Sequence, residues 1–335
     1  MVDVKEILKS KRLVLDGALG TELERLIPKD DENQPRRNSL WSGYVLLKQP
    51  ELVEQVHQSY LQESQVDLLI TSTYQTSYMS LKIFAKLSDE EIIQLWDKSI
   101  TVIESAIEKS GIEKPIYIIG SIGPYASYLC DGSEYTGDYK QVQPKELIKY
   151  HQPLYEYFIN HSKVDIIGFE TIPNFVELES IFELIIINPN PKKLFYISFN
   201  FNNDNELVDG SLIETVILYI IHQLKLNQSL LTNFLGIGLN CIDYRKITSI
   251  ITKINSIISL HGDQINDLNL IIYPNLGFEY SDETDDYRVN KQETHWIKSI
   301  KEWLQFSNVR IIGGCCSTDP YDIQQIRELV DMNHT

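Results

Sequence analysis

Residues 164–200 read VDIIGFETIPNFVELESIFELIIINPNPKKLFYISFN. An apolar run at Val164–Thr171 is followed by a helical pattern at Phe175–Ile187 and by a second apolar run at Leu194–Asn200. Both runs are nearly continuous and do not alternate between apolar and polar residues, which is typical of strands buried on both faces of a parallel sheet. This stretch therefore predicts a strand, a helix and a second strand parallel to the first.

The same alternation of strand and helix recurs along the whole chain. The predicted strands are Arg12–Gly17, Val66–Thr73, Ile116–Gly123, Val164–Thr171, Leu194–Asn200, Phe234–Cys241, Leu268–Asn275 and Val309–Cys316. The predicted helices are Glu51–Ser64, Ser88–Ser110, Pro144–Ser162, Phe175–Ile187, Leu212–Leu224, Arg245–Leu260, Glu293–Phe306 and Pro320–Asp331. Eight such units without an intervening linker predict a single α/β domain over residues 1–335, a (βα)8 TIM-type barrel. A doubly wound open sheet is the alternative fold.

Local signals mark several helix starts and two long loops. Ser88–Glu91 has the spacing of a capping box, and Thr318–Pro320 places a cap just before a proline. Residues 1–10 predict a short amphipathic helix. The polar stretches Pro28–Ser39 and Tyr280–Asn290 predict loops after strands 1 and 7, on the face where barrels hold their functional residues.

The composition excludes several classes of protein. The 335 residues contain 30 Lys plus Arg and 47 Asp plus Glu, a formal charge of −17. A nucleic-acid partner is therefore not expected, because tracking phosphates requires clustered positive charge. No apolar run approaches the roughly 18 residues of a membrane span, and the N-terminal stretch lacks the apolar core of a signal peptide. We expect a cytoplasmic protein that acts on small molecules and has no membrane partner.

Three of the four cysteines fall at predicted strand ends. Cys241 closes the sixth strand, and Cys315 and Cys316 close the eighth, whereas Cys130 lies in the loop after the third. Strands 6 and 8 are separated by one neighbour, so their ends are about 10 Å apart, within reach of converging side chains. Soft thiolates select zinc, and three protein ligands with a fourth position open is the catalytic pattern. The sequence therefore predicts a zinc site at the C-terminal mouth of the barrel.

Other interpretations fit the same residues. Cys130 could complete a closed four-cysteine site, although structural zinc sites usually contain close Cys-x2-Cys pairs. Cys315 and Cys316 could be small, soft residues that fill a crowded strand end. The preceding Gly313-Gly314 could form a phosphate-binding turn, although few basic residues are nearby. A disulfide between the adjacent cysteines is not expected, since their Cα atoms are only about 3.8 Å apart.

An open zinc–thiolate site indicates a particular chemistry. Zinc deprotonates a coordinated thiol and leaves a nucleophilic thiolate, so the expected reaction is alkyl transfer to sulfur. A site without histidine ligands carries more negative charge than a hydrolytic zinc centre and should activate water poorly. No histidine pair has metal-ligand spacing that would change this expectation.

Long motifs in this chain resemble those of the homocysteine S-methyltransferases that use sulfonium donors. They are DGALGTEL (16–23), DLLITSTYQ (67–75), GSIGPYASYL (120–129), DGSEYTGDY (131–139), ETIPN (170–174), GLNC (238–241), YPN (273–275) and GGCC (313–316). The resemblance covers nearly the whole chain, and the motifs are long and occur in order.

The resemblance implies a set of site residues. Cys241, Cys315 and Cys316 would be the zinc ligands and the catalytic residues, whereas Cys130 would be a bystander. Asp16, Gly17 and Glu170 would bind homocysteine. The implied roles of Asp16 and Glu170 agree with their chemistry, because carboxylates bind an α-amino group well.

Other polar and aromatic residues are candidates for the same mouth. Asn240 and Asn275, at the ends of strands 6 and 7, could bind the substrate carboxylate or orient ligands, although asparagines there also serve turns. Aromatic rings attract a sulfonium as they attract quaternary ammonium, although each is also an ordinary packing residue. The candidate rings are Trp41, Tyr74, Tyr125, Tyr128 and Tyr135.

The expected function is transfer of a methyl group from S-methylmethionine, or S-adenosylmethionine as second choice, to the zinc-bound thiolate of L-homocysteine, producing methionine. The remaining length has no room for a folate or cobalamin module, so Zn²⁺ is the expected cofactor. Alternatives are methylation of selenocysteine and use of betaine as donor. A zinc-binding barrel without turnover is another, although storage would not need an amino-acid site.

Overall fold

A computed structural model describes residues 4–333 except 191, 203–204, 262–264, 266–267, 278, 282–285 and 289–294. Its main sheet has eight strands. They are β1 (Leu13–Val14), β2 (Leu68–Ile70), β3 (Tyr117–Ile122), β4 (Ile166–Ile172), β5 (Leu194–Phe199), β6 (Phe234–Asp243), β7 (Asn269–Asn275) and β10 (Val309–Ile312). Two further strands, β8 (Glu279–Ser281) and β9 (Asp286–Arg288), pair antiparallel outside this sheet.

The main sheet is parallel and closes on itself. Its strand order is β1-β10-β7-β6-β5-β4-β3-β2, so neighbours in the chain are neighbours in the sheet. The two end strands meet through a parallel bridge between Leu15 and Leu68, and the Asp67 amide donates to Val14 O at 2.7 Å. The predicted (βα)8 barrel is confirmed, and the alternative of an open sheet is wrong because β1 and β2 are joined.

One helix precedes β1, and the others follow barrel strands, with the longer ones covering the outside of the sheet. They are α1 (Val4–Ser10), α2 (Leu19–Leu26), α3 (Ser42–Lys48), α4 (Pro50–Ser64), α5 (Tyr78–Ser80), α6 (Asp89–Ser110), α7 (Tyr125–Leu129), α8 (Pro144–Asn160), α9 (Phe175–Ile187), α10 (Ile213–Leu226), α11 (Gln228–Asn233), α12 (Ile247–His261), α13 (Trp296–Trp303) and α14 (Pro320–Met332). All eight predicted helices are present within a few residues of their expected ends. The short helices α2, α3, α5, α7 and α11 were not predicted, because each has too few residues to show a helical period.

The predicted start and loop signals have mixed outcomes. The Ser88 side chain accepts from the Glu91 amide in a capping box, and Asp319 caps α14 in the same way. Pro28–Ser39 is a loop that contains a 3-10 turn at Pro35–Arg37. The prediction of a continuous loop over Tyr280–Asn290 is wrong in part, because β8 and β9 pair within it; residues 282–285 and 289–290 lie outside the described residues. No helix in the described part of the chain is long and apolar enough to cross a membrane.

The barrel has two apolar layers. The larger one lies between the sheet and the outer helices. The smaller one fills the barrel interior and includes inward-facing residues such as Ile119, Tyr196 and Ile311. Val4 and Leu8 of α1 belong to this inner cluster, so the N-terminal helix packs against the barrel interior. The opposite, C-terminal end of the strands remains open as a mouth.

Candidate active site

Three cysteines meet at the mouth of the barrel. Cys241 lies in β6, and Cys315 and Cys316 follow β10. The Sγ atoms of Cys241 and Cys315 are 2.9 Å apart, and those of Cys315 and Cys316 are 3.9 Å apart. All three sulfur atoms lie within 4.8 Å of one another. The structure thus brings together the cysteines that the sequence predicted would converge.

Backbone hydrogen bonds fix the two adjacent cysteines. The Cys315 amide donates to Pro274 O at 2.9 Å, and the Leu276 amide donates to Cys316 O at 3.4 Å. The Thr318 hydroxyl donates to Cys315 O at 2.6 Å. The turn after β10 is therefore held by the end of β7 and by its own chain, which limits the movement of both thiols.

The two glycines before these cysteines allow close packing of the turn. A Cβ on Gly313 would lie 2.6 Å from Leu15 Cβ, and one on Gly314 would lie 2.3 Å from Thr318 Oγ1. Neither distance is compatible with a side chain. Close packing against the end of β1 accounts for Gly313, and close packing against Thr318 accounts for Gly314, without the phosphate-binding turn considered from the sequence.

The cysteine cluster fits a soft divalent metal. Tetrahedral zinc with Zn–S bonds of about 2.3 Å places its sulfur ligands about 3.8 Å apart, and the two measured separations of 2.9 and 3.9 Å bracket that value. Hydrogen bonds from the Cys241 and Cys315 thiols hold the pKa of Cys316 well below its ordinary value. The pKa of Cys241 is raised well above its ordinary value, first by its hydrogen bond to Cys315. Without a metal the cluster favours one thiolate, and metal binding would release the remaining protons.

Cys130 lies outside this cluster. Its Sγ contacts Ser127 O at 3.2 Å and Ser39 O at 3.7 Å, and the residue is exposed. Among the residues that the structure describes, the metal-ligand group contains only the other three cysteines. The geometry therefore gives no support to the closed four-cysteine alternative, although Cys130 does line the mouth.

Glu170 is a buried carboxylate held by three hydroxyl groups. Oε1 accepts from Tyr273 at 2.9 Å and from Tyr196 at 3.3 Å, and Oε2 accepts from Ser121. Burial raises the pKa of Glu170, and these three hydrogen bonds oppose that shift. None of the three donors is a cation, so the negative charge of Glu170 is hydrogen-bonded but not neutralised.

Asp16 is a second buried carboxylate at the same mouth. Its Oδ2 accepts from the Ile70 amide at 3.0 Å, whereas Oδ1 is buried without a hydrogen-bond partner. The pKa of Asp16 is raised well above its ordinary value by burial and also by the charge of Glu170. The neighbouring Gly17 lines the same cavity, and a Cβ there would lie 2.7 Å from the Tyr60 hydroxyl. These two carboxylates are only 2% and 5% exposed and pair with no cation in the part of the chain that the structure describes, so together they form a site that would bind an ammonium group.

The two predicted asparagines occupy different surroundings. Asn240 is buried and lines the cavity. Its side-chain amide donates to Thr171 Oγ1 at 2.6 Å, and its Oδ1 has no hydrogen-bond partner among the described residues. Asn275 ends β7 beside the cysteine turn and is not among the residues that line the cavity. Asn240 is therefore placed to contact a ligand, whereas a role for Asn275 stays a prediction.

The mouth opens into a cavity of about 470 Å³. It is lined by the three clustered cysteines, by Asp16 and Glu170, and by the rings of Trp41, Tyr74 and Tyr135. Tyr125 and Tyr128, two other predicted candidates, instead pack in an aromatic group with Tyr150. Arg36 is the one basic residue in the described lining, and Glu24 pairs with it at 2.8 Å. The cavity therefore combines thiols, uncompensated carboxylates and aromatic rings, a combination that favours a cationic ligand.

Sequence reasoning missed the residues that support Glu170. Tyr196 and Tyr273 project into the barrel from β5 and β7, and Ser121 does so from β3. A tyrosine inside a continuous apolar strand was the available signal, because a buried hydroxyl needs a partner. Glu134, another residue of the lining, was also missed.

Comparison with known proteins agrees with this arrangement. A model of the homocysteine S-methyltransferase family matches residues 13–330. The chain belongs to the homocysteine S-methyltransferase family. The membership expected from the motifs is thereby confirmed.

Individual relatives match this family member over nearly their full length. Homocysteine S-methyltransferase YbgG of Bacillus subtilis is 31% identical over 94% of this chain and 93% of its own. A betaine-homocysteine S-methyltransferase of Drosophila melanogaster is 30% identical over 95% and 94%. The metallated crystal form of the Escherichia coli homocysteine methyltransferase MmuM superposes with a TM-score of 0.75, at 28% identity over 96% of this chain and 97% of that one. A metal site therefore occurs in a related protein of the same fold.

Proposed function

We propose that this chain transfers a methyl group from a sulfonium donor to the sulfur of L-homocysteine and so produces methionine. One observation carries the proposal: the buried carboxylates of Asp16 and Glu170, which pair with no cation among the described residues, share a cavity with three clustered thiols. An amino acid that ends in a thiol would place its ammonium group on the carboxylates and its sulfur at the thiols. Family membership supports the same substrate.

The residues of the chain would bind and orient the acceptor. Asp16 Oδ1, which has no protein partner, and Glu170 would accept hydrogen bonds from the ammonium group. Asn240, whose side-chain amide donates to Thr171 and whose Oδ1 has no partner among the described residues, would accept a hydrogen bond from the acceptor. Orientation of this kind lowers the barrier because the sulfur approaches the donor methyl from a fixed direction.

Cys241, Cys315 and Cys316 would hold the metal, for which we propose Zn²⁺. Zinc bound to three thiolates supplies a Lewis acid that ionises a thiol at neutral pH. The three sulfur atoms are the softest donors in the cavity and are free of disulfides. Because soft ligands select zinc over magnesium or calcium, the donor set supports this metal.

The donor half of the cavity would be formed by Trp41, Tyr74 and Tyr135. Ring faces attract a sulfonium cation, and the donor loses this charge when its methyl group leaves. The C–S bond of the donor breaks as the new C–S bond forms, and the bonding electron pair stays on the donor sulfur. We propose S-methylmethionine as the donor, with S-adenosylmethionine second, since the loop motifs resemble those of sulfonium users.

We also propose that residues 1–335 form one domain and that the protein works in the cytoplasm. The eight barrel strands extend from residue 13 to residue 312, which supports a single folding unit. All four cysteines are free, and a reducing compartment would keep three clustered thiols available for metal.

One assay tests the proposal directly. The purified, zinc-loaded protein should form methionine from L-homocysteine when S-methylmethionine is added, and more slowly with S-adenosylmethionine. Betaine and selenocysteine serve as alternative donor and acceptor, and Cys316→Ala serves as the inactive control. Faster turnover with betaine would refute the donor assignment, and no methionine from any of the donors would refute the proposed function.

A further inference from the structure

The cavity has a third acidic side chain that the acceptor site does not use. Glu134 belongs to the 3-10 turn Ser133–Tyr135, in the long connection between β3 and α8, and it lines the cavity. The main-chain oxygen of Glu134 accepts from the side-chain amide of Asn200 at 3.4 Å. No basic side chain in the described part of the chain forms an ion pair with its carboxylate. Glu134 therefore brings to the cavity an acidic residue for which the described residues provide no ion-pair partner.

We infer that Glu134 is the anionic recognition group for the donor, and that it selects donors whose transferable methyl group sits on a positively charged atom. This inference rests on the proposed function and adds a specificity residue to it. The chemical class is an onium ion, which includes sulfonium and quaternary ammonium compounds.

Two tyrosines that line the cavity respond to the charges of both Glu134 and the cysteines. Burial and then the charge of Glu134 raise the pKa of Tyr74, and the charges of Cys241 and Glu170 add to that shift. The pKa of Tyr135 is raised by burial and by the charges of Cys241, Cys316 and Glu134. Tyr74, Tyr135 and Glu134 line the same cavity as the cysteine cluster, so an onium ion in it can contact both a ring and this carboxylate.

The turn that carries Glu134 is fixed by local hydrogen bonds. The Tyr135 amide donates to Gly132 O at 2.9 Å, and the Gly137 amide donates to Ser133 O at 2.8 Å. The Ser133 amide donates to Asp131 Oδ1 at 3.1 Å. A preorganised carboxylate loses little conformational freedom on binding, so more of its attraction for a cation appears as affinity.

Glu134 differs in location and burial from the two carboxylates of the acceptor site. Asp16 and Glu170 lie at strand ends and are almost fully buried, whereas Glu134 lies on a loop and is half-buried. Burial raises the pKa of Glu134, and the negative charge of Asp131 adds to this shift. An onium ion between this carboxylate and the ring of Tyr74 would supply the missing positive charge.

The charge of the donor disappears during the reaction, which predicts how Glu134 acts. The methylated atom is positive in the donor and neutral in the product, so the attraction to Glu134 is strongest before transfer. Such an interaction lowers the KM for the donor and favours release of the spent donor, but it does not accelerate the transfer step. Glu134 is therefore a specificity residue and not a general base.

The test compares Glu134→Gln with wild type in the zinc-loaded protein. We expect the KM for S-methylmethionine to rise roughly tenfold and kcat to stay equal or rise, with the KM for homocysteine and the zinc content within about twofold of wild type. Binding of trimethylsulfonium, measured by ligand-observed NMR, should weaken by a similar factor. Glu134→Asp should recover part of both losses. Asp138→Asn removes an exposed acid from the same connection, outside the cavity lining, and should leave both values unchanged.

Each outcome decides the inference. An unchanged KM for S-methylmethionine in Glu134→Gln would overturn it while leaving the proposed function intact. A raised KM with unchanged trimethylsulfonium binding would also overturn it, because Glu134 would then contact the donor ammonium group. If wild type forms no methionine, the proposed function fails, and the trimethylsulfonium comparison still decides whether Glu134 binds an onium ion.

Discussion

The phenol oxygen of Tyr273 lies 2.9 Å from Oε1 of Glu170, although the two residues are 103 positions apart in the chain. Tyr273 belongs to β7 and Glu170 to β4, with β5 and β6 between them. The hydroxyl of Tyr196 reaches the same oxygen from β5 at 3.3 Å. Inward-facing side chains of the closed barrel thus hold the carboxylate in one orientation and stabilise its charged form.

Tyr273→Phe should weaken homocysteine binding. The change keeps the ring and removes one hydrogen bond to Glu170, which we expect to cost about 1 kcal/mol, or roughly fivefold in affinity. Glu170→Gln should cost more, roughly ten- to a hundredfold, because it removes the charge itself. Calorimetric titration with homocysteine measures both values, and the metal content should be unchanged. Equal binding by wild type and Glu170→Gln would exclude this carboxylate from the acceptor site.

Asp16→Asn should stabilise the free protein while it abolishes acceptor binding. Burial raises the pKa of Asp16 above its value in the unfolded chain, so the native state holds the proton more tightly. The free energy of unfolding therefore falls as the pH rises from the unfolded-state pKa to the native-state pKa of this group. Asparagine removes the buried charge and can still accept from the Ile70 amide. The melting temperature of Asp16→Asn should exceed that of wild type by at least about 2 °C near pH 8, and the difference should shrink towards about pH 4. A lower melting temperature at both pH values would contradict the uncompensated charge.

The metal should depend on three cysteines and not on the fourth. The purified protein should contain about one zinc ion per chain. Cys241→Ala, Cys315→Ala and Cys316→Ala should each lose the metal and the activity together, as measured by elemental analysis and a methionine assay. Cys130→Ala is the control and should keep both, because its thiol lies outside the cluster. Full zinc retention in Cys316→Ala would overturn the ligand assignment.

Glu177→Gln should loosen the loop that carries Glu134. Glu177 is fully buried at the start of α9. Its Oε1 accepts from the Tyr125 amide at 2.6 Å and lies 2.7 Å from His151 Nε2. Its Oε2 accepts from the Tyr139 hydroxyl. An amide cannot accept at both positions, so we expect a loss of about 1–3 kcal/mol in the free energy of unfolding.

Hydrogen exchange should locate the effect of Glu177→Gln. Amides of residues 125–139 should exchange faster, and the KM for the donor should rise while the zinc content stays constant. Glu179→Gln changes an exposed acid on the same helix and is the matched control. Unchanged exchange over residues 125–139 would show that Glu177 does not anchor this loop.

Local sequence patterns determined the repeating strands and helices. The apolar run at Val164–Thr171 and the helical pattern at Phe175–Ile187 are each set by neighbours within a few residues, and both appear in the structure. The placement of Cys241 and Cys315 at strand ends followed from the same periodicity. Parallel strands in one sheet share the direction of their C-terminal ends, so the convergence of these thiols could be predicted before any coordinates.

Only the tertiary structure decided which side chains complete the site. The support of Glu170 by Tyr273, the isolation of Asp16 Oδ1 and the exclusion of Tyr125 from the cavity depend on the angle and radius at which the barrel closes. Those quantities come from packing between strands that are distant in the chain, and no local periodicity records them. The place of the short turn at Glu134 was equally hidden, because its contact with Asn200, which follows β5, joins residues 66 positions apart in the chain. The sequence by itself determined the fold and the chemistry of the donor atoms, whereas the closed barrel decided which charges face the substrate without a partner.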